Sequence, residues 1–89
     1  MTPSAVPSGG AASPETVDAR GLRCPLPVIR LAARAAELPA GTFVTVLSTD
    51  PAARHDVPAW TRMRGHEVVA EERRDDAWAL TVRLGGPVT

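Results

Sequence analysis

The sequence predicts an α/β (α+β) fold: a two-layer sandwich in which two helices pack on one face of a four-stranded mixed sheet, in the order βαβαββ. A chain of 89 residues has room for a single small core. Two of its segments repeat apolar residues at three- and four-residue steps, as amphipathic helices do. Four others are rich in β-branched or alternating apolar residues, as strands are. Two helices with one apolar stripe each cover one face of a sheet.

The first strand and the first helix occupy the first half of the chain. A short strand is expected at residues 16–19, and the helical pattern begins at Val28. Pro39-Ala40-Gly41 is a typical helix stop. The predicted buried stripe of this helix consists of Val28, Leu31, Ala32, Ala35 and Leu38.

A central strand and a second, divided helix are expected next. The apolar run 42–48 is typical of a central strand. Asp50 is expected to cap the helix, with Pro51 at its first position. Because proline is costly in a helix interior, Pro58 predicts a short turn at 52–55 and a restart capped by Asp56. Gly65 supplies the stop.

A β-hairpin completes the predicted fold. The strand 66–72 is expected to place Val68 and Ala70 on one face and Val69 on the other. Residues 73–76 form a polar hairpin turn before the last strand, 77–84. Trp60 and Trp78 are expected in the core or at its rim.

The flanking residues differ in composition from this domain. Residues 1–14 are mostly Pro, Gly, Ala, Ser and Thr, and we expect a flexible N-terminal tail there, a domain at 15–84 and a flexible C-terminal tail at 85–89. The sequence shows neither a secretory signal nor an apolar run of roughly 20 residues. We therefore expect a soluble, cytoplasmic protein without direct membrane contact.

Charge and composition exclude several classes of function. Ten arginines balance ten acidic residues, and aromatic residues make up only 3% of the chain. This balance argues against direct nucleic-acid binding. The single cysteine excludes an internal disulfide and a multi-thiolate metal site, and His55 and His66 are too few to build one. No metal and no cofactor are expected.

Cys24 has the sequence position that is typical of a reactive residue. Pro25 and Pro27 stiffen its turn, and either Cys24 caps the first helix or the helix begins at Pro27. In both cases the sulfur lies near a helix N-terminus, where positive potential favours a thiolate. We therefore expect an accessible thiol with a pKa below that of free cysteine. The alternative is a buried Cys24 that acts only as a small hydrophobe.

A single thiol without a resolving cysteine can take part in only a few kinds of reaction. Thioredoxin-type exchange needs a second cysteine, and a cysteine hydrolase needs a partner histidine and a shaped pocket. The remaining reaction is attack on a sulfane sulfur of a donor protein, which leaves a persulfide on Cys24 for an acceptor.

The motif around Cys24 carries a family resemblance. Residues 18–27, DARGLRCPLP, together with TDPA at 49–52, DVPAW at 56–60 and GHE at 65–67, resemble the TusA/SirA-type sulfurtransferase family over residues 16–84. The resemblance implies a βαβαββ sandwich and a persulfide on Cys24 as covalent intermediate. It also implies a sulfurtransferase that works with partners: a cysteine desulfurase or rhodanese-like donor, and an acceptor protein. Such acceptors serve tRNA thiolation, molybdenum-cofactor assembly or sulfur oxidation.

The remaining candidates surround Cys24. Pro25, Pro27, Asp18 and Gly21 are expected to shape the site, with Asp18 either orienting the loop or capping the strand end. A docking patch for acidic partners, or simply a solvated face, is expected from four arginines: Arg20, Arg23, Arg30 and Arg34. Two departures from the family, Ala32-Ala33 in place of basic residues and Thr61 in place of a second cysteine, bear on the choice of partner. The alternative function is a non-catalytic regulatory or RNA- or protein-binding module of the same fold.

Overall fold

A computed structural model describes residues 14–85, and its elements follow the predicted order βαβαββ. Residues 1–13 and 86–89, most of the two predicted tails, lie outside the described residues. The elements are β1 (Glu15–Asp18), α1 (Leu26–Ala35), β2 (Phe43–Ser48), α2 (Ala53–Arg64), β3 (Glu67–Arg74) and β4 (Ala77–Arg83).

The four strands form one mixed sheet in the spatial order β1-β2-β4-β3. Strand β1 runs parallel to β2, with Val17 opposite Val46, whereas β4 is antiparallel to both β2 and β3. Two parallel strands need a crossover connection, and α1 is the crossover between β1 and β2, as the predicted order requires. The predicted mixed sheet is confirmed.

The core lies between this sheet and the two helices. Leu31 of α1 and Val57 of α2 are fully buried against side chains of the central strands β2 and β4. Fully burying one such side chain stabilises the fold by roughly 1.5–3 kcal/mol. The strand side chains of this cluster are Val44, Val46, Leu80 and Val82.

Helix α1 buries the predicted stripe but ends early. Val28, Ala35 and Leu38 pack against the core beside Leu31. The helix ends at Ala35 rather than at the predicted stop, because the chain tightens into a turn in which Leu38 N–H donates to the Ala35 carbonyl.

The predicted division of α2 is wrong. The helix runs without interruption from Ala53 to Arg64 and contains Pro58. It loses only the hydrogen bond that residue 58 would have donated to the carbonyl of Arg54. Its buried side, Ala53, Val57 and Thr61, holds it on the sheet across this gap.

The predicted cap roles of Asp50 and Asp56 change accordingly. The helix begins at Ala53, so Pro51 is not its first residue, and the N-cap position is Ala52. Asp50 still accepts the Ala52 N–H, at 3.0 Å. Asp56 lies within the first turn of the helix and caps nothing.

Strand β3 departs from simple alternation. A β-bulge between Val68 and Ala70 places Val68 opposite Val82 and Ala70 opposite Thr81. The predicted common face for Val68 and Ala70 is therefore wrong, since the extra residue, Val69, reverses the alternation. The strand also runs on to Arg74, so the turn is only Asp75-Asp76.

Candidate functional site

Cys24 lies in the connection between β1 and α1, immediately before the helix. The helix begins between the two starts that the sequence left open: Pro25 occupies the N-cap position, Leu26 is the first helical residue, and Pro27 is buried in the first turn. The thiol-bearing side chain is half-buried and packs against the edge of the core. Cys24 is therefore neither a fully buried hydrophobe nor freely exposed.

The Cys24 loop is attached to the segment that joins β2 to α2. The backbone N–H of Cys24 donates to Asp50 Oδ2 at 2.9 Å, and the N–H of Gly21 donates to Thr49 Oγ1 at 2.9 Å. Asp50 thus joins the reactive loop to the start of α2, since its other oxygen accepts the Ala52 N–H. The hydrogen bonds from Cys24 and Ala52 lower the pKa of Asp50.

The expected lowering of the thiol pKa is wrong. Burial, followed by the nearby carboxylates of Asp56 and Asp50, raises the pKa of Cys24 to about 11. The start of α1 cannot balance these effects, because Pro25 and Pro27 remove two of the N–H donors that create positive potential there. In the resting protein the thiol is protonated at neutral pH.

Asp18 acts on the turn before Cys24. Its carboxylate accepts the backbone N–H of Arg20 at 3.1 Å and two guanidinium N–H groups of the same arginine at 2.9 and 2.8 Å. These contacts lower the pKa of Asp18 to about 2. Gly21 follows with φ +82°, a conformation that suits glycine.

The four candidate docking arginines differ in their surroundings. Arg20 is paired with Asp18, and Arg34 is paired with both Glu15 and Glu37, at 2.7 and 2.6 Å. Within residues 14–85, Arg23 and Arg30 form no ion pair. Arg23 lines an open cleft of about 440 Å³ together with Gly21, Leu22 and the segment Thr49-Asp50-Pro51.

The sequence interpretation did not assign three residues to the site: Thr49, Asp50 and Asp56. It assigned both aspartates to helix caps and gave Thr49 no role. The signal was present in the motif segments TDPA and DVPAW, which carry all three residues. Only the fold places those segments beside Cys24.

The described part of the chain holds neither a metal-ligand cluster nor a membrane-spanning helix. Residues 14–85 hold no group of three or more His, Cys, Asp or Glu side chains arranged for a metal ion. None of the described helices is long and apolar enough to cross a membrane.

Comparison with known proteins identifies the family. The family model for sulfurtransferase TusA matches residues 15–84, and the chain belongs to this family. A sulfur carrier protein TusA of Pseudomonas syringae pv. syringae is 40% identical over 67 residues, which is 75% of this chain and 80% of that protein. A relative from Archaeoglobus fulgidus is 36% identical over 67 residues, or 75% of this chain and 92% of the relative. The sulfur carrier protein TusA of Pseudomonas entomophila is 37% identical over 68 residues, or 76% and 85%.

Proposed function

We propose that this protein is a sulfur carrier in which Cys24 accepts a sulfane sulfur from a donor protein and passes it to an acceptor protein. One observation carries the proposal: the only thiol of the chain sits, partly accessible, in the Cys-Pro-Leu-Pro turn at the start of α1 of a TusA-family fold. The relatives of this chain that are named sulfur carrier proteins support the same function.

The proposed reaction is an exchange between two sulfur atoms. The Cys24 sulfur attacks the terminal sulfur of a donor persulfide, the new sulfur–sulfur bond forms as the old one breaks, and the donor leaves as a thiol. No oxidant is consumed. Because the chain has no second cysteine, no intramolecular disulfide can discharge the Cys24 persulfide, and the sulfur leaves to another molecule.

The surface around Cys24 offers contacts for such partners. Leu26 and Ile29, on the first two turns of α1, expose 45% and 54% of their surface. Arg23 and Arg30 lie on either side of these residues in sequence and are both exposed. A mixed apolar and cationic surface suits transient protein docking. The donor class we propose is a cysteine desulfurase or a rhodanese-like protein, and the setting is the cytoplasm.

Intact-mass measurement tests the carrier function. After incubation with a cysteine desulfurase and cysteine, the wild-type protein should gain the mass of one sulfur atom, and a thiol reductant should remove it. Cys24→Ser should gain none while keeping the helix and strand content of the wild type in circular dichroism. The proposal fails if the wild-type protein gains no sulfur, or if Cys24→Ser gains as much.

A further inference from the structure

Two neighbouring side chains, Thr49 and Asp50, hold the turn that carries Cys24. The Thr49 hydroxyl accepts the N–H of Gly21 and the Asp50 carboxylate accepts the N–H of Cys24, both at 2.9 Å. These contacts lie at the two ends of the stretch 21–24. The Thr49–Asp50 pair therefore fixes the whole stretch against the connection from β2 to α2.

The Thr49–Asp50 pair is itself attached to the elements on both of its sides. The N–H of Asp50 donates at 3.1 Å to the hydroxyl of Ser48, which is fully buried at the end of β2. The second oxygen of the Asp50 carboxylate accepts the N–H of Ala52, just before α2. Hydrogen bonds to an ionised carboxylate are stronger than those between neutral groups. The Cys24 backbone is thus joined through Asp50 to the buried end of β2.

The other contacts of the turn do not fix its orientation in this way. Pro25 and Pro27 have no N–H to donate, and the N–H of Leu26 donates to Arg23 within the same turn, at 2.8 Å. Hydrophobic packing holds Cys24 at the edge of the core, but the hydrophobic effect is non-directional. The direction in which the turn presents its sulfur therefore depends on the Thr49–Asp50 pair.

We propose that Thr49 and Asp50 are positioning residues for sulfur transfer: through the backbone of the turn they hold the Cys24 sulfur where a protein-bound persulfide can reach it. This inference rests on the proposed carrier function. A donor protein presents its persulfide at a fixed place on its own surface, so both sulfur atoms must be in position. Reacting atoms meet at about 3–3.5 Å, and a displacement of about 1 Å can slow a reaction about 100-fold.

Two alternative roles predict different results. The negative charge of Asp50 disfavours the ionised thiol, so a purely electrostatic role means that removing this charge makes Cys24 more reactive towards every donor. Thr49 carries no charge, so a slower reaction after loss of its hydroxyl reports position and not ionisation. Both residues also line the cleft beside Arg23. If they only bound the donor, their loss would be compensated by a saturating concentration of it.

Thr49→Val is the decisive variant, because it removes the acceptor of the Gly21 N–H and nearly preserves the shape of the side chain. Sulfur uptake is measured by intact mass with two donors: glutathione persulfide, and a cysteine desulfurase with cysteine at saturating concentrations. Uptake from the desulfurase should fall about 10-fold, whereas uptake from glutathione persulfide, a small donor that adjusts its own approach, should stay within about twofold. Thr49→Ser keeps the hydroxyl and should restore the uptake.

Asp50→Asn tests the other residue of the pair. The amide nitrogen that replaces one carboxylate oxygen cannot accept an N–H, so uptake from the desulfurase should fall. Uptake from glutathione persulfide should rise, because loss of the negative charge lets the thiol ionise more readily. A rise with both donors is the electrostatic result and overturns the assignment of Asp50.

The matched control is Thr16→Val, which makes the same substitution at an exposed threonine of β1 and should change neither rate. The inference is overturned if Thr49→Val keeps the wild-type rate with saturating desulfurase. It is also overturned if Thr49→Val loses uptake from both donors equally, with or without a lower melting temperature. These outcomes concern the Thr49–Asp50 pair alone, because the carrier function itself is tested by sulfur uptake in the wild-type protein and its loss in Cys24→Ser.

Discussion

Backbone N–H groups of the loop before Cys24 are held by side-chain oxygens rather than by a regular element. Asp18 accepts the N–H of Arg20, Thr49 that of Gly21, and Asp50 that of Cys24. Loop N–H groups need such acceptors because no strand or helix neighbour supplies a carbonyl. Two of the three acceptors are carboxylates, and ionisation of these carboxylates strengthens the hydrogen bonds that hold the loop.

The pKa of Asp18 can be measured directly. Its carboxyl group should titrate near pH 2 in the folded protein when followed by NMR, because Arg20 stabilises the ionised form through its side chain and its backbone. Since the folded pKa lies below the unfolded value, the stabilisation is present above pH 3.8 and is lost as the pH falls towards 2. In Arg20→Ala the midpoint should move up towards 3.8. An unchanged midpoint in that variant would show that Arg20 is not the cause.

The position of Cys24 was predictable from sequence, but its ionisation was not. Pro25 and Pro27 indicated a helix start, and the structure has one there. Burial raises the thiol pKa most, and Asp56 and Asp50, which add to it, come from a later part of the chain; Asp50 is 26 residues away. A local interpretation accounts for the helix potential of α1 but not for the carboxylates that the fold brings beside the sulfur.

At the scale of elements, α2 shows how tertiary packing overrides a local rule. Pro58 predicted a division of the helix, yet Ala53, Val57 and Thr61 remain on one continuous buried side. Thr61 also donates its hydroxyl to the carbonyl of Pro58 at 2.7 Å, within the same helix. Burial of this side against the sheet outweighs the single missing hydrogen bond.

Replacing this proline should stabilise the protein. Pro58→Ala restores the N–H that the Arg54 carbonyl lacks and removes the contact of the ring with the preceding turn. A proline in a helix interior costs about 3 kcal/mol, but the half-buried ring contributes packing and restricts the unfolded chain. We expect the free energy of unfolding, measured by urea denaturation, to rise by about 1 kcal/mol.

Ala59→Gly in the same helix provides the opposite control and should lower the free energy of unfolding by about 1 kcal/mol. If Pro58→Ala is less stable than the wild type, the packing of the ring outweighs the missing hydrogen bond.

The β3 bulge is a second feature that a local sequence rule does not predict. A run of apolar residues predicts a strand, but nothing in Val68-Val69-Ala70 shows which residue is left without a partner.

At the scale of the whole molecule, the end of β4 is joined to the turn between α2 and β3. The N–H of Gly85, a residue assigned from sequence to the C-terminal tail, donates to Nδ1 of His66 at 3.0 Å. The His66 ring in turn lies against Trp60 of α2, with ring centroids 4.8 Å apart. Gly85 is confined as well, because a Cβ there would lie 1.9 Å from the Gly65 carbonyl oxygen.

The surroundings of His66 make stability depend on pH. Burial, and then the nearby Arg64, lower the pKa of His66 below its ordinary value of 6.5. The unfolded chain therefore takes up a proton at a higher pH than the folded protein does, and protonated Nδ1 can no longer accept the Gly85 N–H. The contribution of His66 to the free energy of unfolding should be complete well above pH 6.5 and be lost as the pH falls through 6.5.

Urea denaturation at a series of pH values from neutral to mildly acidic measures the slope of the free energy of unfolding against pH. His66→Asn places a non-titrating oxygen where Nδ1 lies, so it should keep the acceptor for Gly85 and lose the His66 part of the slope. His55→Ala, which removes an exposed histidine of α2, should keep that part. Because the pKa values of Asp18 and Asp50 are lowered from 3.8, their titration falls below this range and does not mask the effect. A wild-type slope that persists unchanged in His66→Asn would contradict the assignment.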